Sequence, residues 1–416
     1  MKRAFVTVGL GFGDEGKGAT VDYLCRKMKA DLVVRYCGGS QCGHNVELPG
    51  GLRHCFSQFG SGTLAGVPTY VGHNVIIYPE AMRNEAQHLK EIGVSSPWEL
   101  ITVNPSCLVT TPYTRAMNCI RESARGNSKH GSCGHGIGET RSYWLKYGQD
   151  SIFAKDLELK SGPTNRDKLR DKLEAMRQRY MLELEGIGEP TTYEQIFDVP
   201  VNSLVKSIKE SCPLLRIRDM PDYETAIFEG AQGVLLDEWN GFYPYVTWST
   251  VTTHHAKELT SDAEVTVIGC TRPYTTRHGA GPLPNEDSAL AKRINDIGNP
   301  WNQWQDTFRA AWLNVPLLMY AAQVVGKIDF LAVSCLDHLK NIQPRVSEST
   351  FDWWDKLKPT QRRIKNMEKN GKILKSENFK LRNVSQLELM QILNKVAPVG
   401  IEGRGPTWEN RISILA

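Results

Sequence analysis

The segment "GLGFGDEGKGAT", residues 9–20, combines closely spaced glycines with two acids and a lysine. Backbone N–H groups of a glycine-rich strand-to-helix turn can cradle phosphate, and Lys17 would add a compact positive charge. A Walker A loop places Ser or Thr directly after its lysine as a magnesium ligand, whereas here Gly18 follows. The loop is therefore predicted to bind phosphate without the usual hydroxyl ligand for magnesium.

Asp14 is an unusual residue for a phosphate loop, because its charge would repel phosphate. It makes chemical sense if it ligates magnesium or acts as a base on a neutral part of the substrate. The alternative interpretation is structural, with Asp14 capping the helix that follows the loop. The residue types leave both interpretations open.

A second glycine-rich segment, "RYCGGSQCGHN", covers residues 35–45. Glycines around polar residues suit a close approach of the backbone to a ligand. His44 follows the last of these glycines, and a histidine in that position favours a functional role over a structural one.

The surrounding pattern predicts an α/β fold. Ala4–Val8 is typical of a buried strand, the residues after the first loop have helical spacing, and "ADLVVRY" is the next strand candidate. Three later strand-like segments, "ETAIFEGAQGVLLD", "AEVTVIGCTRPYTTRHGAGP" and "KIDFLAVSCLDHL", end in glycines or polar residues. Ligands gather at the carboxyl ends of parallel strands, so these endings indicate one shared site in a P-loop-like, largely parallel sheet flanked by helices.

The simplest domain organisation is one domain over residues 1–416, because no repeat or clear linker interrupts it. A helical insertion is predicted at about residues 155–220, where "RDKLRDKLEAMRQRYMLELEG" has the pattern of an amphipathic helix. Residues of about 350–395 form a predicted basic peripheral lobe. Aromatic residues are nearly absent from its most basic segment, residues 356–382, which argues against a nucleic-acid surface.

Bulk composition indicates a cytoplasmic protein. Hydrophobic residues make up 40% of the chain and charged residues 23%, with a net charge of +4. The 10 cysteines contain no C-x-x-C pair, which favours reduced thiols over a disulfide framework. We expect no membrane span, since no apolar run approaches 18 residues.

Four motifs together resemble the adenylosuccinate synthetase family. They are "GDEGKG", "RYxGGxxxGH", "FEGAQGxLLD…YPYVT" and "TRxGAGPxP", in that order and at compatible spacing. The resemblance implies a magnesium-dependent ligase that works in two steps. The 6-oxygen of a purine nucleoside monophosphate attacks the γ-phosphate of a nucleoside triphosphate, and the amino group of L-aspartate then displaces the 6-phosphoryl group. It also implies a homodimer.

The resemblance assigns the catalytic roles to three residues. Asp14 would be the base at purine N1, His44 the acid that hydrogen-bonds the transferring phosphoryl group, and Lys17 a cation on that group. Asp14 and the Gly43 carbonyl would bind Mg²⁺. The nucleotide-binding residues implied are Gly13, Glu15, Gly16, Gly18, Gln41, Gly43, Ser132, Cys133, Arg141, Gln232, Thr247, Arg277, Asp337 and Gly405.

The chain also departs from the family pattern. In the segment "GSCGHGIGE", Ser132 and Cys133 replace two threonines, while Arg141 is expected to reach a partner subunit's site. Of the arginines in the family's aspartate-binding loop, Arg309 survives. "SCLD" retains Asp337 of the family's "TKLD" but has Cys335 in place of the lysine.

These departures leave the substrates open. They resemble the archaeal and phage branch, which includes enzymes that make N6-succino-2-amino-2′-deoxyadenylate from dGMP. In those enzymes a small hydroxyl residue typically replaces the first-loop acid, so the retained Asp14 favours IMP. The pocket changes favour GMP or dGMP, and Cys335 favours ATP or dATP over GTP.

Two other classes compete with the ligase. A P-loop kinase or GTPase is disfavoured by the missing hydroxyl after Lys17. An inactive nucleotide-binding regulator is suggested by the reduced arginine loop, but an inactive protein has no physical need for Asp14, Lys17, His44 and Gln232 together.

Overall fold

The computed structural model describes residues 1–158, 163–187, 191–260, 262–294, 303–305, 308–348, 362–376 and 379–414. The strands in these ranges are β1 (Arg3–Gly9), β2 (Leu32–Arg35), β3 (His44–Glu47), β4 (Arg53–Phe56), β5 (Thr69–Val71), β6 (Ile76–Ile77), β7 (Ile101–Val103), β8 (Leu108–Val109), β9 (Arg216–Ile217), β10 (Thr225–Glu229), β11 (Glu264–Thr271), β12 (Tyr274–Arg277), β13 (Arg309–Asn314), β14 (Phe330–Val333), β15 (Arg345–Glu348), β16 (Lys380–Asn383), β17 (Val399–Gly403) and β18 (Arg411–Ser413). The helices are α1 (Lys17–Lys27), α2 (Pro79–Glu91), α3 (Pro112–Ala124), α4 (Ile137–Tyr147), α5 (Pro163–Leu184), α6 (Val201–Ser211), α7 (His254–Thr260), α8 (Ser288–Ile294), α9 (Val315–Val325), α10 (Ile364–Ser376) and α11 (Gln386–Asn394).

The central sheet has ten strands within the described ranges, in the order β18-β17-β14-β11-β1-β10-β2-β5-β7-β9. Its neighbouring strands are parallel, except that β17 and β18 are antiparallel. Helices flank this sheet. The predicted α/β fold with a largely parallel sheet is therefore confirmed.

Strand β1 lies at the middle of the sheet, between β10 and β11. All of its residues after Arg3 are buried, as expected for a strand covered on both faces. Because β1, β2, β10, β11 and β14 are parallel, their carboxyl ends meet at one edge of the sheet. The loops that follow them form the site.

A smaller sheet, β12-β13-β15-β16, and the hairpin of β3 and β4 both contribute residues next to the loop that follows β1. In the small sheet, Arg277 on β12 stands opposite Arg309 on β13. Strand β3 begins with His44 and packs against α1. These two additions bring polar residues to the ends of the central strands.

The predicted helical insertion contains α5 and α6. Helix α5 buries Leu169, Leu173, Met176 and Tyr180 at the three- and four-residue spacing of one helix face, which confirms the amphipathic helix. Parts of the predicted basic lobe, residues 349–361 and 377–378, lie outside the described residues. Its remainder carries α10, β16 and α11.

Among the described residues, no helix is long and apolar enough to cross a membrane.

Candidate active site

A cleft of about 940 Å³ lies at the carboxyl edge of the central sheet. This volume is at the upper end of the range for small-molecule sites. The cleft brings together the following predicted site residues: Gly13, Asp14, Glu15, Gly16, Lys17, Gly18, Gln41, Gly43, His44, Ser132, Cys133, Gln232, Thr247, Arg277, Asp337 and Gly405. Arg141 and Arg309 are not among its lining residues.

The carboxylate of Glu15 occupies the hydrogen-bond donors of the first loop. Glu15 Oε1 accepts hydrogen bonds from the backbone N–H groups of Gly11 and Gly13, at 2.9 and 2.8 Å. Glu15 Oε2 accepts a third from Lys17 Nζ at 2.6 Å, and both side chains are buried. Although burial alone would lower it, the pKa of Lys17 is raised, since Glu15 stabilises the ammonium form. The N–H groups expected to meet phosphate thus already hold an anion.

The glycines of this loop explain the missing hydroxyl after Lys17. Helix α1 begins at Lys17, and its N-cap is Gly16 with φ 79°, so the interpretation of Asp14 as the helix cap is wrong. A Cβ atom on Gly18 would lie 2.8 Å from the Cβ of His44. Serine or threonine at this position would therefore collide with the histidine. The chain cannot have both a Walker-type hydroxyl and His44 in this place.

Asp14 is paired with His278, a residue that the sequence analysis did not identify. Asp14 has φ 62°, and its Oδ2 lies 2.6 Å from His278 Nε2. Burial acts to raise the pKa of Asp14, but the charge and hydrogen bond of His278, with Arg272 and Lys17 nearby, hold it below its ordinary value. Asp14 is therefore ionised and able to ligate a cation, while the contact with His278 weakens it as a base.

His44 is oriented by a buried carboxylate. Its Nδ1 lies 2.5 Å from Glu229 Oε1, and Glu229 is also bound by the backbone N–H and the hydroxyl of Ser61. Burial lowers the pKa of His44 despite the opposing charge of Glu229. Burial acts to raise the pKa of Glu229, but His44 and the buried Arg35 bring it down to about 2. Glu229 thus fixes the ring and leaves Nε2 for a ligand.

Gln41, Thr247 and Gln232 lie on one side of the cleft. Gln41 Nε2 donates to Thr247 Oγ1 at 3.5 Å, and Gln232 Nε2 donates to Cys42 Sγ at 3.2 Å. Gln232 has φ 49°, a left-handed conformation that non-glycine residues adopt at some cost. The Oε1 atoms of both glutamines are buried without a hydrogen-bond partner, which suits contact with the donor groups of a ligand.

The segment with Ser132 and Cys133 is tied to α3. Ser132 Oγ donates to Asn118 Oδ1 at 2.9 Å, and Glu122 Oε1 accepts from the N–H groups of Gly131 and Ser132. Burial raises the pKa of the Cys133 thiol to about 11. Arg141, further along on α4, lies over the ring of Trp144, 4.7 Å from its centre.

Arg277 supports a turn from inside the protein. Its guanidinium is buried and donates to the backbone carbonyls of Ala280, Pro282 and Tyr245 at 3.1–3.3 Å. Burial, with a contribution from nearby Arg309, lowers the pKa of Arg277 to about 9. The guanidinium N–H groups of Arg277 therefore stabilise the turn at residues 279–282.

Arg309 is likewise engaged within the chain. Its Nε and Nη2 donate to the two carboxylate oxygens of Glu286 at 2.9 and 2.5 Å. Its Nη1 donates to the carbonyls of Gly279 and Gly281, both at 3.0 Å. The guanidinium therefore holds one carboxylate in the two-pronged geometry expected for a carboxylate ligand.

Cys335, Asp337 and Gly405 line another part of the cleft, together with Arg411. Cys335 has φ 62° and follows the end of β14. Arg411 Nη1 donates to the Thr407 carbonyl at 3.1 Å, and burial lowers its pKa. The cation at this end thus comes from β18, not from the position of Cys335.

Sequence reasoning missed four residues of the site: Arg272, His278, Glu229 and Arg411. Three of them lie within quoted segments: Glu229 in "FEGAQG", and Arg272 and His278 in "TRPYTTRHGAGP". Their place in these segments was the available signal. Arg411 had none, because it lies 74 residues after "SCLD", the last family motif quoted.

Comparison with known proteins agrees with this geometry. The adenylosuccinate synthetase family model matches residues 6–347. The chain belongs to this family. The adenylosuccinate synthetases of Clostridium botulinum and Neisseria gonorrhoeae are each 31% identical to it, over 82% of the chain and 79% of their own length. As a family member, the chain is an enzyme that forms C–N bonds.

Two solved structures share the fold of this adenylosuccinate synthetase family member. One is a fully ligated adenylosuccinate synthetase from Plasmodium falciparum, with a TM-score of 0.78, 18% identity and 99% of both chains covered. The other is the succinoaminodeoxyadenylate synthetase of cyanophage S-2L, bound to dGMP and to dATP as an energy donor. It has a TM-score of 0.60 and 15% identity, and the match covers 100% of this chain and 96% of that one.

Proposed function

We propose that the chain condenses L-aspartate with the 6-position of IMP, through a 6-phosphoryl intermediate formed from a nucleoside triphosphate. The products are adenylosuccinate, a nucleoside diphosphate and phosphate. The observation that carries this proposal is the convergence of Asp14, Lys17 and His44 in one cleft, with Glu229 fixed behind His44.

The first proton transfer belongs to Asp14. Its carboxylate is ionised and lines the cleft, so it can accept the N1 proton of the purine as the 6-oxygen attacks phosphorus. The purine N1–H then takes the place of the His278 donor. In this proposal His278 is therefore a hydrogen-bond partner of Asp14 that the purine displaces.

His44 acts on the transferring phosphoryl group. In the free enzyme, burial favours the neutral ring, with its Nδ1 proton directed to Glu229. An anionic phosphoryl group beside Nε2 raises the pKa of this ring, because the imidazolium then lies between two negative charges. Phosphoryl binding is therefore coupled to proton uptake by His44, which supplies the acid.

Lys17 and the first loop neutralise the phosphoryl charge. In the free chain Glu15 holds the loop in shape by accepting from two backbone N–H groups and Lys17, so the phosphoryl group would share or displace this carboxylate to reach Lys17. Positioned charges of this kind account for most of the barrier reduction in phosphoryl transfer.

The residues present fit a magnesium ion. The carboxylate of Asp14 and the backbone carbonyl of Gly43 both belong to cleft residues, and both are hard oxygen donors of the kind Mg²⁺ prefers. Bound there with substrate phosphates, Mg²⁺ would neutralise the charge on the transferring group.

L-Aspartate is assigned to Arg309, which lies next to the cleft. Its Nη1 donates to the carbonyls of Gly279 and Gly281, on either side of the lining residue Ala280. Glu286 already occupies the two-pronged carboxylate position on that guanidinium, at 2.9 and 2.5 Å. A carboxylate of L-aspartate would replace the Glu286 carboxylate there and accept the same two hydrogen bonds.

A second acceptor, GMP or dGMP, is supported by the altered cleft residues Ser132 and Cys133 and by Gln41, which stands where the family usually has an asparagine. The cyanophage enzyme that shares the fold was solved with dGMP and dATP. Cys335 in place of a lysine further favours ATP or dATP as donor over GTP.

Arg141 lies outside the chain's own cleft, which supports its proposed reach into a homodimer partner.

A product assay by mass spectrometry tests these proposals. The enzyme, with Mg²⁺ and L-aspartate, is supplied with IMP, GMP or dGMP, each crossed with GTP, ATP and dATP. We expect a succinyl adduct from IMP, with ATP or dATP at least as effective as GTP. An adduct from dGMP alone would replace IMP with the second acceptor, and strict GTP dependence would contradict the donor assignment. Asp14→Asn serves as the inactive control, and nucleotide binding without any adduct would indicate a regulator.

A further inference from the structure

A cluster of three histidines and a glutamate lies outside the cleft. His254 and His255 open α7, Glu258 follows one turn later, and His73 lies in the loop after β5. None of these four residues lines the cleft described above. The proposed ligase reaction gives none of them a role.

The donor atoms of this cluster converge. Those of His254, His255 and Glu258 all lie within 4.8 Å of one another. His255 Nδ1 is 3.0 Å from Glu258 Oε2, and His254 Nε2 is 3.4 Å from Glu258 Oε1. The donors of a tetrahedral zinc site are about 3.3 Å apart, so small side-chain rotations bring these three to one ion.

His73 offers a fourth ligand from a separate element. Its Nε2 lies 3.7 Å from Glu258 Oε2, on the carboxylate oxygen that also faces His255. The same nitrogen is 2.8 Å from Asn74 Nδ2, so it would exchange this neighbour for the ion. His73 is therefore the most easily lost of the four ligands.

We propose that His254, His255, Glu258 and His73 form a binding site for one divalent transition-metal ion, Zn²⁺, distinct from the catalytic cleft. Three imidazoles and one carboxylate are a donor set that suits zinc and does not suit the hard ion Mg²⁺.

The position of the cluster indicates a structural role for the ion. Helix α7 follows directly after the segment that places Thr247 and Trp248 in the cleft. Asp237 and Ser249 already hold this segment through hydrogen bonds from the N–H groups of Val251 and Gly38. An ion at the cluster would fasten the end of the segment to the loop after β5. It would stabilise the fold without entering the reaction.

Calorimetric titration of Zn²⁺ into untagged, metal-free protein tests the site. Saturating Mg²⁺ is kept in the buffer so that the catalytic oxygen ligands are occupied. We expect one equivalent to bind and to raise the melting temperature. His255→Ala and Glu258→Gln are each expected to weaken binding by at least about tenfold, and His73→Asn by less. His88→Ala, which removes an exposed histidine outside the cluster, is the matched control and should bind like the wild type.

Cobalt provides a second readout that does not depend on activity. Co²⁺ bound by nitrogen and oxygen in a four-coordinate site gives intense visible absorption, which His255→Ala should abolish. A cobalt–thiolate band in the near ultraviolet would place the ion on a cysteine and overturn the proposal. Failure of the wild type to bind one equivalent, or wild-type affinity in His255→Ala and Glu258→Gln when both are folded, would overturn it as well.

Discussion

The two ends of the cleft differ in how their charged side chains are held. Around the first loop, charged side chains are paired inside the chain: Lys17 with Glu15, Asp14 with His278, and His44 with Glu229. At the end with Asp337 and Gly405, a cysteine stands where the family has a lysine, and Arg411 enters from a late strand. The first end follows the family motifs residue by residue, whereas the second departs from them.

The difference follows from how each end is held. A substitution in the first loop would leave a buried partner without its counter-charge, and such a loss costs several kcal/mol. In the proposed function the second end would recognise the base of the donor through a few polar groups, and there Arg411 approaches from a different element. We therefore propose that chemistry is confined to the first end and that substrate choice can change at the second.

Loss of either catalytic side chain is the most severe test of this comparison. We expect Asp14→Ala and His44→Ala each to lower kcat by about 10²–10⁴-fold, because each removes a proton-transfer group. Nucleotide binding, followed by calorimetry, should persist in both. Asp337→Asn at the second end should change the KM for the donor and leave kcat nearly unaltered. Full turnover in Asp14→Ala or His44→Ala would refute the assigned roles.

Glu229→Gln tests whether the carboxylate behind His44 is required by the fold. We expect it to lower the free energy of unfolding by about 3–5 kcal/mol, since buried Arg35 loses its counter-charge and His44 Nδ1–H loses its charged acceptor. The pKa of Glu229 is lowered from 4.5 to about 2 in the fold, so its stabilising effect is present above pH 4.5 and lost as the pH falls toward 2. Urea unfolding at several pH values measures both effects. The exposed Glu99→Gln is the control, and equal stability of the two variants would contradict this account.

Gly18→Ser tests the steric conflict between a Walker-type hydroxyl and His44. The new Cβ would lie 2.8 Å from the Cβ of His44, so we expect a loss of about 1–3 kcal/mol in stability together with lower turnover. Gly186→Ser, where the nearest atom to a Cβ is 3.9 Å away, should be neutral. Thermal melting and the succinyl-adduct assay report the two effects. A stable and active Gly18→Ser enzyme would show that α1 and β3 can move apart.

His278→Ala tests whether His278 sets the pKa of Asp14. The histidine opposes burial and lowers the pKa of Asp14, so its removal should raise that pKa. Activity requires the ionised carboxylate, and the acidic limb of the kcat/KM profile should therefore move to higher pH. Arg272 and Lys17 still face Asp14 in the variant and limit the shift. An unmoved acidic limb would show that the contact does not tune the base.

Glu286→Gln is expected to have the smallest effect. Removing the internal carboxylate frees Arg309, so the KM for L-aspartate should fall by about two- to fivefold, the range of a partly exposed ion pair. Arg309→Ala should raise the same KM. If Glu286→Gln leaves it unchanged, Arg309 supports the turn at residues 279–281 and does not bind aspartate.

The sequence predicted what is local and missed what is not. The strand before the first loop, helix α1 and the glycine-rich strand ends could be predicted because their patterns lie within about twenty residues. The pairing of His44 with Glu229 joins residues 185 positions apart, and that of Asp14 with His278 joins residues 264 apart. Neither pairing leaves a periodicity to detect. The occupation of the first loop by Glu15 was also missed, since glycine spacing does not show which anion the loop holds.

The internal carboxylate of the first loop has a consequence for selectivity. A bare nest of N–H groups beside a lysine would attract any small anion in the cell, including inorganic phosphate and sulfate. With Glu15 in place, such ions meet a loop whose positive charge is already balanced. A ligand must therefore bring several contacts at once, through base, sugar and phosphate, to displace or accommodate that carboxylate. We therefore expect the loop to bind free phosphate or sulfate only weakly.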